Sequence, residues 1–129
     1  MRGIIAAVMM LCSLLEASTI RWYGTFDAAL EASRSSGKPM FVVLVERGCG
    51  ECRQLFVSAL RRERIVRLVN GKTIPVIVTK ENEDYPIELL YTLEYPAIFL
   101  LSPREVLLKP PVTGAVDAAL LEEKIFDEL

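Results

Sequence analysis

Two cysteines three positions apart, Cys49 and Cys52, constrain the fold more than any other feature of the sequence. They follow the apolar run Met40–Val45, which has the length of a strand covered on both faces, and they precede a stretch with helical periodicity. A C-x-x-C pair between a strand and a helix is typical of a redox pair. At a helix start, Cys49 faces unpaired N–H groups and the positive end of the helix dipole, which favour the nucleophilic thiolate. Cys52 is then predicted to attack a mixed disulfide held by Cys49.

A C-x-x-C pair also has two other uses. Structural zinc normally takes four protein ligands, and the sequence contains no histidine, so a zinc site needs carboxylates or a second subunit. The pair can instead be a purely structural disulfide, although a loop this small is readily reduced. The absence of histidine also excludes Ser-His and Cys-His nucleophile systems.

Residues 1–18 are predicted to be a signal peptide or a signal anchor. The charged Arg2 precedes an apolar run of 12 residues from Ile4 to Leu15, and Ala17 and other small residues follow, as in secretory signals. A membrane-spanning helix needs about 20 residues, and a buried helix is the alternative. Because the third cysteine, Cys12, lies in this run, cleavage leaves one pair in a compartment where disulfides persist. The predicted location is periplasmic or otherwise exported.

Helix and strand patterns alternate through residues 19–129, which are predicted to form one domain. The predicted helices are Thr25–Ser36, Glu51–Leu68, Pro86–Tyr91 and Asp117–Leu129. The predicted strands are Met40–Val45, Thr73–Thr79, Ala97–Leu101 and Val106–Leu108, with a turn at Asn70-Gly71. This order indicates an α/β fold in which helices flank a mixed central sheet.

The charge balance gives no sign of a nucleic-acid partner. The formal net charge is −2 at pH 7, which provides no strong field for an anionic polymer. A basic cluster on the second predicted helix is either a solvated helix end or a docking patch for an acidic partner. It comprises Arg61, Arg62, Arg64 and Arg67.

Two further segments add a family resemblance. Glu94-Tyr95-Pro96-Ala97-Ile98-Phe99 follows the C-x-x-C at a suitable spacing, and Gly114-Ala115 precedes the final amphipathic helix. From Trp22 to Leu129 the sequence resembles the thioredoxin superfamily, and its opening resembles the shorter thioredoxin-like proteins exported by bacteria. The resemblance implies a three-layer thioredoxin-like fold. It also implies that Pro96 is cis beside the active disulfide and that Tyr95 offers backbone groups to a substrate chain; an ordinary trans proline is the alternative.

Three positions depart from the thioredoxin pattern. Gly48 replaces the tryptophan before the first cysteine, and Gly50-Glu51 replaces Gly-Pro between the two cysteines. Val43 replaces the buried aspartate six positions before the first cysteine, which in the family helps proton transfer from the second cysteine. Glu46 and Glu51 are the candidate substitutes for that acid.

The sequence therefore predicts a thiol–disulfide oxidoreductase that acts on protein or peptide thiols. The negative charge of Glu51 disfavours the thiolate, whereas Arg47 and the helix dipole favour it. These opposing effects leave the direction of electron flow open, and our hypothesis is a reductant or an isomerase-like role. Cys49 is the predicted nucleophile and Cys52 the resolving thiol. The predicted substrate-binding residues are Tyr95, Pro96, Gly50 and Glu51, and the residues expected to tune the pKa of the pair are Arg47 and Glu46.

No cofactor or metal is needed, since the disulfide carries two electrons. A membrane-bound electron donor is the expected upstream partner of a monomer. The alternatives are a non-catalytic binding protein of the same fold and a metal carrier that uses the cysteine pair.

Overall fold

The computed structural model describes residues 19–129. The leader predicted for residues 1–18 lies outside the described residues. The elements, in chain order, are α1 (Phe26–Ser36), β1 (Met40–Val45), α2 (Gly50–Val57), α3 (Glu63–Lys72), β2 (Ile74–Thr79), β3 (Ala97–Leu101), β4 (Val112–Thr113) and α4 (Ala118–Leu121), which continues as a π-helix over Glu122–Phe126. Short 3-10 turns occupy Ala59–Arg61 and Lys80–Asn82.

The four strands form one mixed sheet in the order β2-β1-β3-β4. The central strand β1 is parallel to β2 and antiparallel to β3, and β4 extends the other side of β3 in antiparallel pairing. Val45, the last residue of β1, pairs with Thr79, the last residue of β2. The residues that follow these two strands therefore emerge at the same edge of the sheet.

The side chains of β1 alternate between two hydrophobic clusters. Phe41 and Val43 pack with buried residues of α2, α3 and α4 on one face. Met40, Val42 and Leu44 pack with buried residues of α1 on the other face. The sheet therefore lies between two helical layers, and this confirms the predicted α/β fold with a mixed central sheet.

The first helix begins and ends where its capping residues predict. The hydroxyl of Thr25 accepts a hydrogen bond of 3.1 Å from the N–H of Ala28, which satisfies one unpaired donor of the first turn. Gly37 has a left-handed backbone with φ of 76° and donates its N–H to the carbonyl of Ser33, as in a glycine C-cap.

The continuous helix predicted for Glu51–Leu68 is wrong, because the chain breaks between α2 and α3. Ser58 and Arg62 both leave helical geometry. The apolar spacing of positions 55, 59, 62, 66 and 69 would continue through an unbroken helix and place Arg62 on the buried face. The break leaves Arg62 exposed while Ala59 and Val66 stay buried, so the core avoids an unpaired cation.

The turn predicted at Asn70-Gly71 is also wrong, since both residues lie inside α3. The side chain of Asn70 holds the start of the described chain instead. Its Oδ1 accepts a hydrogen bond of 2.9 Å from the N–H of Arg21, and its Nδ2 donates one of 2.8 Å to the carbonyl of Thr19. A residue with a strong turn propensity is thus used for a tertiary contact.

The segment predicted as a helix at Pro86–Tyr91 forms a single turn. The N–H groups of Leu89 and Leu90 both donate to the carbonyl of Pro86. No second turn follows, so no further hydrogen bonds offset the unfavourable free energy of helix nucleation. The buried side chain of Leu90 anchors this turn on the α1 side of the sheet.

The fourth strand does not lie at Val106–Leu108, where the sequence predicts it. That segment makes one isolated bridge between Leu107 and Leu101, and Pro110 and Pro111 follow it. Because proline has no N–H to donate, the ladder stops there and resumes as β4. The closing helix, predicted for Asp117–Leu129, begins at Ala118 with Asp117 as its N-cap, and it ends at Phe126 rather than at the last residue.

Candidate active site

The cysteine pair lies at the junction of β1 and α2. Cys49 is the N-cap of α2, and its sulfur accepts a hydrogen bond of 3.0 Å from the N–H of Cys52. The two residues form a disulfide with Cα atoms 5.2 Å apart. Cys49 is partly exposed, whereas Cys52 is only 5% exposed. An incoming thiol or disulfide can therefore reach Cys49, and Cys52 is held behind it.

The surroundings of Cys49 carry little side-chain bulk. Gly48 has φ of 68°, and a Cβ placed on Gly48 or on Gly50 would meet nothing within 4 Å. Glu51 is exposed on the first turn of α2. The backbone beside the accessible sulfur is thus open to a partner chain on both sides.

Two contacts tie the loop before Cys49 to the segment that follows β2. The N–H of Arg47 donates a hydrogen bond of 2.9 Å to Oε1 of Glu81. Nζ of Lys80 lies 3.5 Å from Oε2 of Glu46. The pKa of the Glu81 carboxyl lies below its usual value, chiefly because the carboxylate accepts the N–H of Arg47. The backbone of Glu81 itself and the charges of Arg47 and Lys80 lower this pKa further.

Lys80 also connects this loop to the segment before β3. Its ammonium lies 5.5 Å from the centroid of the Tyr95 ring, within the range of a cation–π interaction. The Tyr95–Pro96 peptide bond is cis, and the carbonyl of Pro96 accepts a hydrogen bond of 2.9 Å from Gly114. The structure thereby joins Glu46, on the cysteine loop, to Tyr95 through one lysine.

The predicted site residues divide into those that these contacts connect and those that stand apart. Arg47, Glu46 and Tyr95 all belong to the connected network, whereas Gly50 and Glu51 have no side-chain contact in it. Lys80 and Glu81 also belong to this network, but neither is among the site residues predicted from the sequence. The available signal was the parallel pairing of β1 and β2, because residues after two parallel neighbouring strands meet at one edge.

No carboxyl group is buried within residues 19–129, where Ser33 and Thr73 are the buried polar residues. Val43 lies fully buried in the cluster beneath α2. Glu46 is paired with Lys80, and Glu51 is exposed. Across the same residues, no group of three or more Cys, Asp or Glu side chains is arranged to hold a metal ion.

The fold and the site define a thioredoxin-like protein. The thioredoxin-like family model matches residues 21–103, which is most of the chain, and the chain belongs to this family. A thioredoxin-like fold with a C-x-x-C pair supports a thiol–disulfide oxidoreductase in general terms.

Solved structures with low sequence identity share the fold. A DsbH oxidoreductase superposes with a TM-score of 0.69 at 16% identity, over 81% of each chain. A thioredoxin from Thermus thermophilus gives a TM-score of 0.68 at 18% identity, over 81% of this chain and 83% of that one. The C-terminal domain of DsbD from Neisseria meningitidis, in its oxidised form, gives 0.57 at 18% identity, over 80% and 95%. No curated protein sequence matches the chain.

Proposed function

We propose that the chain is a reductant of protein or peptide disulfides that works through Cys49 and Cys52. The observation that carries the proposal is the unequal burial of the pair. Cys49 is the partly exposed N-cap of α2, while Cys52 is buried and its N–H donates to the sulfur of Cys49. A pair that only stabilised the fold would not need one sulfur at the surface on an open, glycine-flanked loop.

The reaction follows from this arrangement. In the dithiol form, the N–H of Cys52 and the α2 N-terminus stabilise a thiolate on Cys49. That thiolate attacks one sulfur of a partner disulfide, the partner's S–S bond breaks, and its other sulfur leaves as a thiolate. Cys52 then loses its proton and attacks Cys49, which releases the partner's second sulfur and forms the Cys49–Cys52 disulfide. Two electrons pass from this chain to the partner.

One charge beside the pair supports the reducing direction. The carboxylate of Glu51 lies in the first turn of α2, where it opposes a thiolate on Cys49. Lys80, the first residue after β2, is paired with Glu46 and is therefore partly neutralised. A less stable dithiolate makes the pair a stronger reductant.

An exported location and an upstream electron donor complete the proposal. The apolar run within residues 1–18 has the composition of a secretory signal or anchor. Within residues 19–129, no helix is long and apolar enough to cross a membrane. Outside the cytoplasm the oxidised pair must be reduced again, and a membrane-bound dithiol protein is the class of donor that could supply those electrons. The chain is proposed to act as a monomer.

The experiment is a redox titration of the full chain against glutathione or dithiothreitol buffers, with thiol trapping and mass spectrometry. A reversible two-electron transition that disappears in Cys49→Ser supports the function, and a midpoint well below that of a dedicated oxidant, about −120 mV, supports the direction. A pair that never cycles would refute the enzyme and favour a binding protein of the same fold. Metal that copurifies and bridges two chains through the cysteines would favour the metal carrier instead.

A further inference from the structure

The segment between β2 and β3 forms an exposed cleft next to the proposed active site. The cleft has a volume of about 310 Å³. Its lining includes three apolar side chains that are largely in solvent, namely Ile87 at 45%, Tyr91 at 68% and Leu93 at 83% exposure. Large apolar side chains this exposed and this close together indicate a surface that contacts another molecule.

The segment that forms the cleft carries a net negative charge. The stretch from Lys80 to Tyr95 carries one basic residue and five acidic residues: Glu81, Glu83, Asp84, Glu88 and Glu94. Glu94 points away, since its Oε2 accepts a hydrogen bond from Thr113. Tyr85 lines the cleft, and burial is the first cause that raises the pKa of its hydroxyl. Tyr95 and three of the other acidic residues, Glu83, Asp84 and Glu81, raise this pKa further.

Among residues 19–129, only one cation lines the cleft, and it is already engaged. Lys80 pairs with Glu46 and stands over the ring of Tyr95. Glu83, by contrast, lines the cleft, is exposed and forms no ion pair within residues 19–129. The cleft therefore offers the unpaired carboxylate of Glu83 beside an apolar surface, and this combination attracts a cation with a neighbouring apolar side chain.

The cleft is also continuous with the cysteine loop. Glu81, the residue after Lys80 of the cleft lining, accepts the N–H of Arg47. Cys49 lies two residues beyond Arg47, which an extended chain spans in about 7 Å. Tyr95 belongs both to the cleft lining and to the network that reaches the cysteine loop. A peptide whose cysteine reacts at Cys49 can thus place its flanking residues in the cleft.

We propose that this cleft docks a substrate segment in which basic and apolar residues flank the reactive cysteine. The inference rests on the proposed function and adds to it the chemical class of the substrate. The glycines beside Cys49 contribute no side-chain contacts, so the cleft supplies the selectivity.

The test measures binding without any redox step. A labelled, cysteine-free peptide with Lys and Leu in a Gly-Ser background is titrated into the oxidised full chain by fluorescence anisotropy. Two matched peptides replace Lys by Glu, or Leu by Ser. We expect the Lys-Leu peptide to bind, the Glu peptide to bind at least about tenfold more weakly, and added salt to weaken the complex.

Matched variants locate the binding. Glu83→Gln with Asp84→Asn removes one negative charge from the cleft lining and one from the residue next to it, and is expected to weaken binding by about three- to tenfold. Leu93→Ser removes the most exposed apolar side chain and should weaken it by about fivefold. Glu31→Gln with Asp127→Asn makes the same chemical change on exposed residues elsewhere and should leave binding unchanged.

Equal binding of the Glu peptide, or equal effects of the two charge-removing variants, would overturn the proposal. Concentration-dependent dimerisation that Leu93→Ser abolishes would assign the cleft to a second copy of this chain and would also overturn it. The result is separable from the function: a cycling disulfide with no peptide preference refutes the docking site alone. Preferential binding by a chain whose disulfide never cycles refutes the enzyme alone.

Discussion

The backbone N–H of Arg47 donates a hydrogen bond of 2.9 Å to Oε1 of Glu81, 34 positions further along the chain. Arg47 stands two residues before the proposed nucleophile, so this bond fixes the approach of the chain to Cys49. Both residues are exposed, and the contact exists because β1 and β2 are parallel and end side by side.

The Arg47–Glu81 bond is expected to depend on pH. The pKa of Glu81 lies below its ordinary value of 4.5, with the bond to the Arg47 N–H as the first cause. Because the folded value is depressed, the contribution of this bond is complete above pH 4.5 and is lost as the pH falls through the lower folded value. The amide proton shift of Arg47 in NMR spectra should therefore titrate with a midpoint below 4.5.

A Glu81→Gln variant provides the control for this titration. Glutamine still offers an oxygen to the Arg47 N–H but does not ionise in this range. The titration of the Arg47 amide should therefore disappear, while the fold is retained. A midpoint at or above 4.5 in the unmodified chain would show that the bond does not favour the ionised carboxylate.

The central parts of the fold could be predicted because local signals and tertiary demands agree there. Met40–Val45 is apolar throughout, and the structure covers it on both faces. Thr25 and Gly37 mark the ends of α1 by capping chemistry that involves only neighbouring residues. The cysteine pair was found in the same way, since strand, C-x-x-C and helix are consecutive.

The remainder depended on contacts that the sequence does not encode locally. In the sequence, the helical spacing continues through Arg62 without interruption. The chain breaks between α2 and α3 because an unbroken helix would point Arg62 into the apolar core. The pair Asn70-Gly71 is typical of a turn, but Asn70 lies inside α3, where its side chain forms hydrogen bonds with Thr19 and Arg21. Lys80 and Glu81 stand in a polar stretch without a motif, and they join the site only once β1 and β2 are paired.

Lys80 is predicted to oppose the docking of basic substrates while contributing little to stability. Its pair with Glu46 is more than half exposed on the lysine side, and exposed pairs contribute about 0–1 kcal/mol. Lys80→Met should therefore change the free energy of unfolding in urea by less than about 1 kcal/mol. The same variant removes a positive charge from the cleft lining and leaves Glu83, so the Lys-Leu peptide should bind about two- to fivefold more tightly. Weaker binding would show that Lys80 itself contacts the peptide.

Cys52 is predicted to end the mixed disulfide rather than to form it. Cys52→Ala leaves the exposed Cys49 able to attack a partner, but it removes the thiol held beside the bond that must break. The mixed disulfide should then live at least about tenfold longer and be visible on a non-reducing gel. Cys49→Ala should give no adduct, and Cys12→Ala should behave like the unmodified chain. Adducts of equal lifetime in Cys52→Ala and the unmodified chain would contradict the resolving role.

Gly114 is predicted to be needed for its backbone conformation beside Pro96. Its φ is 77°, a Cβ there would lie 3.1 Å from Oε2 of Glu94, and its N–H donates to the carbonyl of Pro96. Gly114→Ala should therefore lower the free energy of unfolding by about 1–2 kcal/mol. Gly71 is a matched control, because it lies inside α3 with open space at its Cβ position. Gly71→Ala should raise the same free energy by about 0.5–1 kcal/mol. Urea denaturation measures both, and equal effects of the two substitutions would show that the left-handed geometry at Gly114 imposes no requirement for glycine.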